Sequence, residues 1–173
     1  MSEFSKEYGY ALYDLAKEEG KEEIILNEIL EIDSLLKEND DYIKLMDTPA
    51  LSLDERLKLI DDAFLGCSLY VLNFLKLLCE KKSFFAFPKC VKEFIKLYDK
   101  DRNIERVEAI TCVPLNEDQL KRLKEKIEKA IGKTVCIKNK VDTGILGGVI
   151  LKMENQMYDG SVKQRLDSLS AML

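Results

Sequence analysis

The chain contains no histidine and no tryptophan. Without histidine, Ser-His-Asp and Cys-His nucleophile activation, imidazole metal ligation and the usual switch near neutral pH are all closed. Carboxylates remain, among them Asp142, Glu154 and Asp159, but no spacing marks out a general-acid pair or a hard-metal site. Cysteine is sparse and odd in number, with Cys67, Cys79, Cys90, Cys112 and Cys136 and no CxxC pair. That excludes a disulfide framework and a cysteine zinc site. It fits buried free thiols in a reducing compartment. No apolar run approaches the roughly 18–20 residues needed to span a bilayer. The opening MSEFSKEYGY has no basic stretch leading into an apolar core, so no secretory signal is expected. A phosphate loop is also missing. GILGGV, residues 144–149, lacks the GxxxxGK[ST] pattern and leads into a strand, not a helix. Its glycines serve positive φ or a bulge instead.

What is present reads as a soluble, mostly helical chain of 173 residues, 46% hydrophobic and 34% charged. The formal net charge of −5 makes a nucleic-acid partner a poor fit, since phosphate affinity comes from Lys and Arg. Neither a cofactor nor a direct small-molecule ligand is expected. The first hundred residues carry helical periodicity with short breaks. Phe4, Tyr8, Leu12, Leu15 and Ala16 form the stripe of a first helix ended by Gly20. Ile25, Ile29, Ile32 and Leu36 form a second, broken at Asn39–Asp41, and Tyr42, Ile43, Leu45 and Met46 lie on a short third. Ser52 with Glu55 has capping-box spacing and opens a fourth helix, closed by Gly66. Residues 68–81 and 87–100 form the fifth and sixth.

After Arg102 the pattern changes. ERVEAITCV, residues 105–113, alternates as a strand. Asn116 caps a helix carrying Leu120, Leu123, Ile127 and Ile131, which Gly132 stops. The basic run Lys121–Lys129 reads as its solvated face. Val135 and Ile137, then residues 148–153, then 156–158, supply three further strands. Ser161 with Gln164 caps a terminal helix carrying Val162, Leu166, Leu169 and Met172. The expected architecture is therefore mostly α with a small α/β part: a six-helix N-terminal bundle, residues 1–104, and a C-terminal α/β domain, residues 105–173.

The fifth helix stands out. Leu69, Tyr70, Val71, Leu72, Phe74, Leu75, Leu77, Leu78 and Cys79 surround it, interrupted only by Asn73 and Lys76. A helix apolar almost all round is central to its bundle or covered by a partner, as in a groove that receives an amphipathic helix. In the first helix Tyr10 and Tyr13 lie off the main stripe, as exposed binding aromatics would.

Gly147-Gly148-Val149-Ile150-Leu151, then Tyr158-Asp159-Gly160-Ser161-Val162-Lys163, then Arg165-Leu166 and Leu169, resemble the signature of the δ subunit of the F-type ATP synthase. Its mitochondrial counterpart is the oligomycin-sensitivity-conferring subunit. Tyr8, Tyr10-Ala11 and Leu12 resemble the family's Y-A-x-A-L opening, and the element order is similar along the whole length. Glu154-Asn155 departs from the family's common Gly-Asp type turn. The resemblance implies a non-catalytic stator connector between the catalytic α3β3 head and the membrane-anchored b subunits, serving proton-driven ATP synthesis. It places the chain peripherally at the cytoplasmic face of the cell membrane, held there only through the complex. The implied contacts with an α subunit N-terminal helix lie between the first and fifth helices: Tyr8, Ala11, Leu12, Leu15, Leu72, Leu75, Leu78 and Cys79. Val162, Leu166 and Leu169 are the implied contacts with the b stalk, and Gly147, Gly148 and Gly160 the turn residues. The competing readings are a helical adaptor of another multi-subunit complex, an enzyme using carboxylates or Cys112, and an RNA-binding module.

Overall fold

The computed structural model describes residues 2–48, 50–145, 147–153 and 156–160. The chain divides into two compact units, Met1–Tyr98 and Asp99–Leu173. Up to Asp101 the described helices are α1 (Ser2–Glu18), α2 (Glu22–Glu38), α3 (Asp40–Asp47), α4 (Leu53–Ala63), α5 (Leu69–Glu80) and α6 (Phe87–Asp101), with a 3₁₀ turn at Phe84–Ala86. The fold is thus mostly helical with a small α/β part, as expected.

Local chemistry sets the breaks. Gly20 takes the left-handed conformation (φ 62°) that a side chain resists. Ser52 and Glu55 form the expected capping box: Ser52 Oγ accepts from the Glu55 amide at 3.3 Å, and Glu55 Oε2 accepts from the Ser52 amide at 2.8 Å. The Ser52 hydroxyl also donates to Glu55 Oε2 at 2.7 Å, and this bond, with that from the Ser52 amide, holds the Glu55 carboxyl below its usual range. α4 closes at Ala63, earlier than Gly66, because the Phe64 amide still bonds Ile60 O while the Cys67 amide turns back to Phe64 O.

The first core is built from Ile25, Ile29 and Ile32 of α2, Val71, Leu75 and Leu78 of α5, and Phe84, Phe87 and Phe94. The C-terminus of α3 is a node within it. Arg56 Nη1 donates to Met46 O at 2.7 Å, and the Cys79 thiol lies 3.9 Å from that oxygen. The Asp47 carboxylate accepts from the Phe84 and Phe85 amides at 2.8 and 2.9 Å. Carbonyls left over at the end of one helix and amides at the start of the next are thereby paired. α1 approaches α6 closely at Gly9. A Cβ there would lie 2.7 Å from Cys90 O and 2.9 Å from Glu93 Cβ, closer than atoms can sit.

Among the described residues, the second unit is a four-stranded sheet with the helix α7 packed on it. β1 (Ile104–Thr111) lies beside β2 (Thr134–Val141) and β3 (Val149–Lys152), and β4 (Met157–Asp159) flanks β3, in the order β2-β1-β3-β4. β1 and β2 are parallel, with Ile104 opposite Thr134, so α7 (Glu117–Ile131) supplies the crossover between them. β3 runs antiparallel to β1 and to β4. Asn116 and Gln119 form a second capping box, and Gly132 at φ 68° ends α7. Ile127 seats against Val107 and Val135, with Leu123, Ile131, Ile137, Leu151 and Met153 around them. Asn139 ties the sheet internally: Nδ2 donates to Ala109 O and Thr111 Oγ1, and Oδ1 accepts from the Leu115 amide.

Gly147 and Gly148 take φ of 146° and 92°, so both positions require the freedom of glycine. At Gly160 the constraint is space: a Cβ would sit 3.0 Å from Val149 O, to which the Gly160 amide bonds. The terminal helix with Val162, Leu166, Leu169 and Met172, and the turn at Glu154-Asn155, lie outside the described residues.

Gly9→Ala is expected to lower unfolding free energy by about 1–3 kcal/mol through overpacking, as measured by urea titration. Gly66→Ala, at a position where a Cβ meets nothing within 4 Å, should move it by no more than ~0.5 kcal/mol.

Candidate partner-binding groove

The close approach at Gly9 sets the rotation of α1. Ser5, Gly9, Leu12, Tyr13 and Ala16 turn inward, and Tyr13 packs edge-on to Phe94 at 5.2 Å between centroids. The expected stripe is thereby split. Leu12 and Ala16 face the core, whereas Phe4 and Tyr8 are half-buried, Ala11 is exposed and Leu15 is 37% exposed. Phe4, Tyr8, Ala11 and Leu15 follow i, i+4, i+7, i+11 spacing, which puts them on one edge of the helix. The Phe4 and Tyr8 rings stack at 4.0 Å. Tyr10 is exposed as expected; Tyr13 is not, because Phe94 holds it inside.

α5 is one-sided rather than apolar-buried all round. Val71, Phe74, Leu75, Leu78 and Cys79 point inward, while Leu69 is 74% and Leu77 39% exposed. Of the residues expected to contact a partner, Leu12, Leu75, Leu78 and Cys79 are therefore core residues, since they lie on the faces that pack the bundle. Leu72 is half-buried on a different edge. One turn further on that edge, Lys76 pairs with Asp61 of α4 at 2.5 Å, so Leu72 is directed toward α4.

The turn that follows α1 meets α5 at Tyr70. Its hydroxyl donates to Glu19 Oε2 at 2.8 Å, and the Lys21 ammonium lies 4.8 Å from its ring centroid, within cation–π range. Glu19 follows Leu15 by one helical turn, its amide bonded to Leu15 O, so it continues the Tyr8–Leu15 edge. Leu77 follows Tyr70 by two turns on α5. The outward edge of α1 carries Phe4, Tyr8, Ala11 and Leu15, and that of α5 carries Tyr70 and Leu77, with Asn73 exposed between them. Tyr70 and Leu77 were not among the expected contacts. The seven-residue step between them was the signal available in the sequence, hidden by the many other apolar residues of α5.

Burial pushes the Cys90 thiol up to about 11 and raises that of Cys79, where nearby Arg56 offsets part of the effect. Both are therefore protonated at neutral pH and poor nucleophiles. No group of metal-ligating side chains occurs among the described residues. A separate hollow of about 780 Å³ lies where α2 meets α3, lined by Leu35, Leu45, Tyr42 and Phe64 and rimmed by Glu38, Asp40 and Asp41. There burial, helped by Cys79, pushes the Tyr42 phenol up to about 12, and its hydroxyl donates to Leu59 O at 3.2 Å.

Two outcomes follow from these placements. Leu15→Asp should leave unfolding free energy within ~0.5 kcal/mol of the parent, whereas Leu75→Ala should cost about 2–5 kcal/mol, both read by urea titration. The raised Tyr42 value means the folded state holds the phenol proton more tightly than the unfolded state does. Its contribution to stability is complete below the unfolded value near 10 and is lost as pH rises to about 12. Tyr42→Phe should therefore show a shallower stability decline than the parent between pH 10 and 12.

The family model described as ATP synthase delta (OSCP) subunit matches residues 4–173. An ATP synthase subunit delta of Alkaliphilus oremlandii is 32% identical over 170 residues, covering 98% of this chain and 94% of the relative. That of a Geobacillus species is also 32% identical, covering 98% and 96%. A chain in the structure of the Toxoplasma gondii mitochondrial ATP synthase hexamer superimposes with a TM-score of 0.76 at 20% identity, over 97% of this chain and 96% of that one, which shows the shared fold. With a family match over almost its whole length and relatives above 30% identity, the chain belongs to the ATP synthase delta (OSCP) subunit family.

Proposed function

We propose that this protein is a non-catalytic peripheral-stalk subunit of an F-type ATP synthase, joining the α3β3 head to the membrane-anchored b subunits during proton-driven ATP synthesis. Family membership supports the complex. The head-facing part of the reading rests on one observation: the Tyr70 hydroxyl, in the first turn of α5, bonds the Glu19 carboxylate just past the end of α1. Two apolar helix edges brought together form a trough for the apolar stripe of a third helix. The α subunit N-terminal helix is its occupant, touching Tyr8, Ala11, Leu15, Tyr70 and Leu77, with buried Leu12 and Phe74 supporting the walls. Val162, Leu166 and Leu169 are the proposed b-stalk contacts.

The work is mechanical. A connector that resists torque needs contacts that persist, and a preformed groove on a packed scaffold loses little freedom on binding. Catalysis has no part in it, in keeping with thiols held protonated. No helix among the described residues is long and apolar enough to cross a membrane. On this reading the chain reaches the cytoplasmic face of the cell membrane through its partners alone.

Titration of the full chain with a synthetic peptide of the host α subunit N-terminus, followed by NMR, tests the groove. Shifts confined to α1 and α5 are expected, and Leu15→Asp or Leu77→Asp should weaken binding at least about tenfold, roughly 1.4 kcal/mol. An unbound peptide, with both helices intact, would reject the groove and favour an adaptor of another complex.

A further inference from the structure

The hollow where α2 meets α3 has no part in the function proposed above. The break at Asn39 leaves the end of α2 and the start of α3 beside the end of α4, with a space of about 780 Å³ among them. Pockets for small molecules span about 300–1,000 Å³. The floor is apolar. Leu35 and Leu45 stand 47% and 39% exposed there, and the Tyr42 and Phe64 rings meet edge-on with 6.0 Å between centroids.

The rim carries charge of one sign. Of the lining residues Lys37 alone is basic, and it is engaged by Asp33 one turn back on α2. Asp41 pairs with Lys44 at 2.9 Å. Glu38 and Asp40 form no ion pair among the described residues, although Asp40 acts on Lys44 through space. Acidic residues in a first turn ordinarily do no more than offset the positive end of their helix, and Asp40 and Asp41 do this for α3. Glu38 has no such reason to be where it is. It is the last residue of α2, where the helix end is negative and a carboxylate is disfavoured.

The floor and the rim together select a ligand class. An anion is repelled. A neutral apolar molecule leaves the carboxylates unused. A bare metal ion leaves the apolar floor unused, and no cluster of metal-ligating side chains occurs among the described residues. A cation with an apolar body satisfies both parts, since aromatic faces attract ammonium groups within about 6 Å. The wider field has the same sign: residues 1–98 carry 13 basic and 20 acidic side chains.

We propose that the hollow between α2 and α3 is a binding site for a lipophilic ammonium compound, its alkyl body against Leu35 and Leu45 and its cationic head between the Tyr42 ring and the Glu38 and Asp40 carboxylates. The site uses α2, α3 and α4 only, so it stands or falls independently of the groove on α1 and α5.

The test titrates the full chain with hexyltrimethylammonium, with hexanesulfonate and hexanol as the anionic and neutral counterparts, by calorimetry and by methyl and aromatic NMR. Saturable binding is expected, with shifts gathered on Leu35, Tyr42, Leu45 and Phe64. It should be at least about fivefold tighter than for either counterpart. The combined variant Glu38→Gln, Asp40→Asn should weaken it at least about threefold. Tyr42→Leu, which keeps apolar bulk but removes the ring, should weaken it by a similar factor. Tyr42 also packs against Phe84, so amide dispersion checks the fold of that variant, and the charge variant tests the site without it. Equal affinity for all three probes would overturn the ammonium in favour of a plain apolar crease. Shifts that do not saturate, or that gather elsewhere, would overturn the site. A lysine-bearing amphipathic peptide that moves the same four residues, where hexyltrimethylammonium moves none, would overturn it in favour of a protein partner.

Discussion

The first unit depends on the backbone-to-backbone approach of α1 and α6 at Gly9. With a Cβ 2.7 Å from Cys90 O excluded, only glycine lets the helices close to this distance. That approach fixes the rotation of α1, and the rotation decides everything displayed on it. Tyr13 is carried inward against Phe94, Leu12 and Ala16 join the core, and Phe4, Tyr8, Ala11 and Leu15 remain on the outer edge. A rotation by one residue, about 100°, would bury a different set and remove the apolar wall. The proposed groove is therefore a consequence of close packing on the opposite side of the same helix.

The second wall depends on a comparable division of labour. α5 commits Val71, Phe74, Leu75, Leu78 and Cys79 to the interior and leaves Tyr70 half-buried and Leu77 exposed. The interior set is anchored by the polar node at the end of α3, where Arg56 and Cys79 meet Met46 O and Asp47 holds the turn that begins at Phe84. Pairing these groups matters because an unpaired buried carbonyl or amide costs about as much as a lost hydrogen bond. A rigid core under an exposed apolar edge suits a connector, since binding then orders few additional groups. The second unit follows the same logic with a sheet: α7 takes one face into the core, and Lys138, Lys140 and Lys152 stand on the other.

Much of this was legible in the chain. The six helices, the capping boxes at Ser52 and Asn116, the stop at Gly132 and the switch to strand alternation after Arg102 follow from local rules of hydrogen bonding, capping and φ. The family signature around Gly147-Gly148 and Tyr158-Asp159-Gly160 was equally local, and the positive φ of both early glycines explains why those positions hold no side chain. The absence of histidine is a property of composition alone, and it closes the commonest catalytic routes.

The division between core residues and exposed edges was less legible. Leu12, Leu75, Leu78 and Cys79 look no different in sequence from Leu15 and Leu77, because periodicity reports an apolar face without saying whether a neighbouring helix of the same chain or another chain covers it. Tyr13 has the sequence context of a free aromatic, and only the fold brings Phe94, some eighty positions away, against it. What the sequence by itself determined was the order of the described elements, the caps at Ser52 and Asn116 and the family, since each depends on residues within a few positions of one another. What only the tertiary structure decided was which side of α1 and α5 faces out and which lysines share a sheet face. Those properties come from steric contact between distant segments, such as Gly9 with Cys90 or β1 with β3.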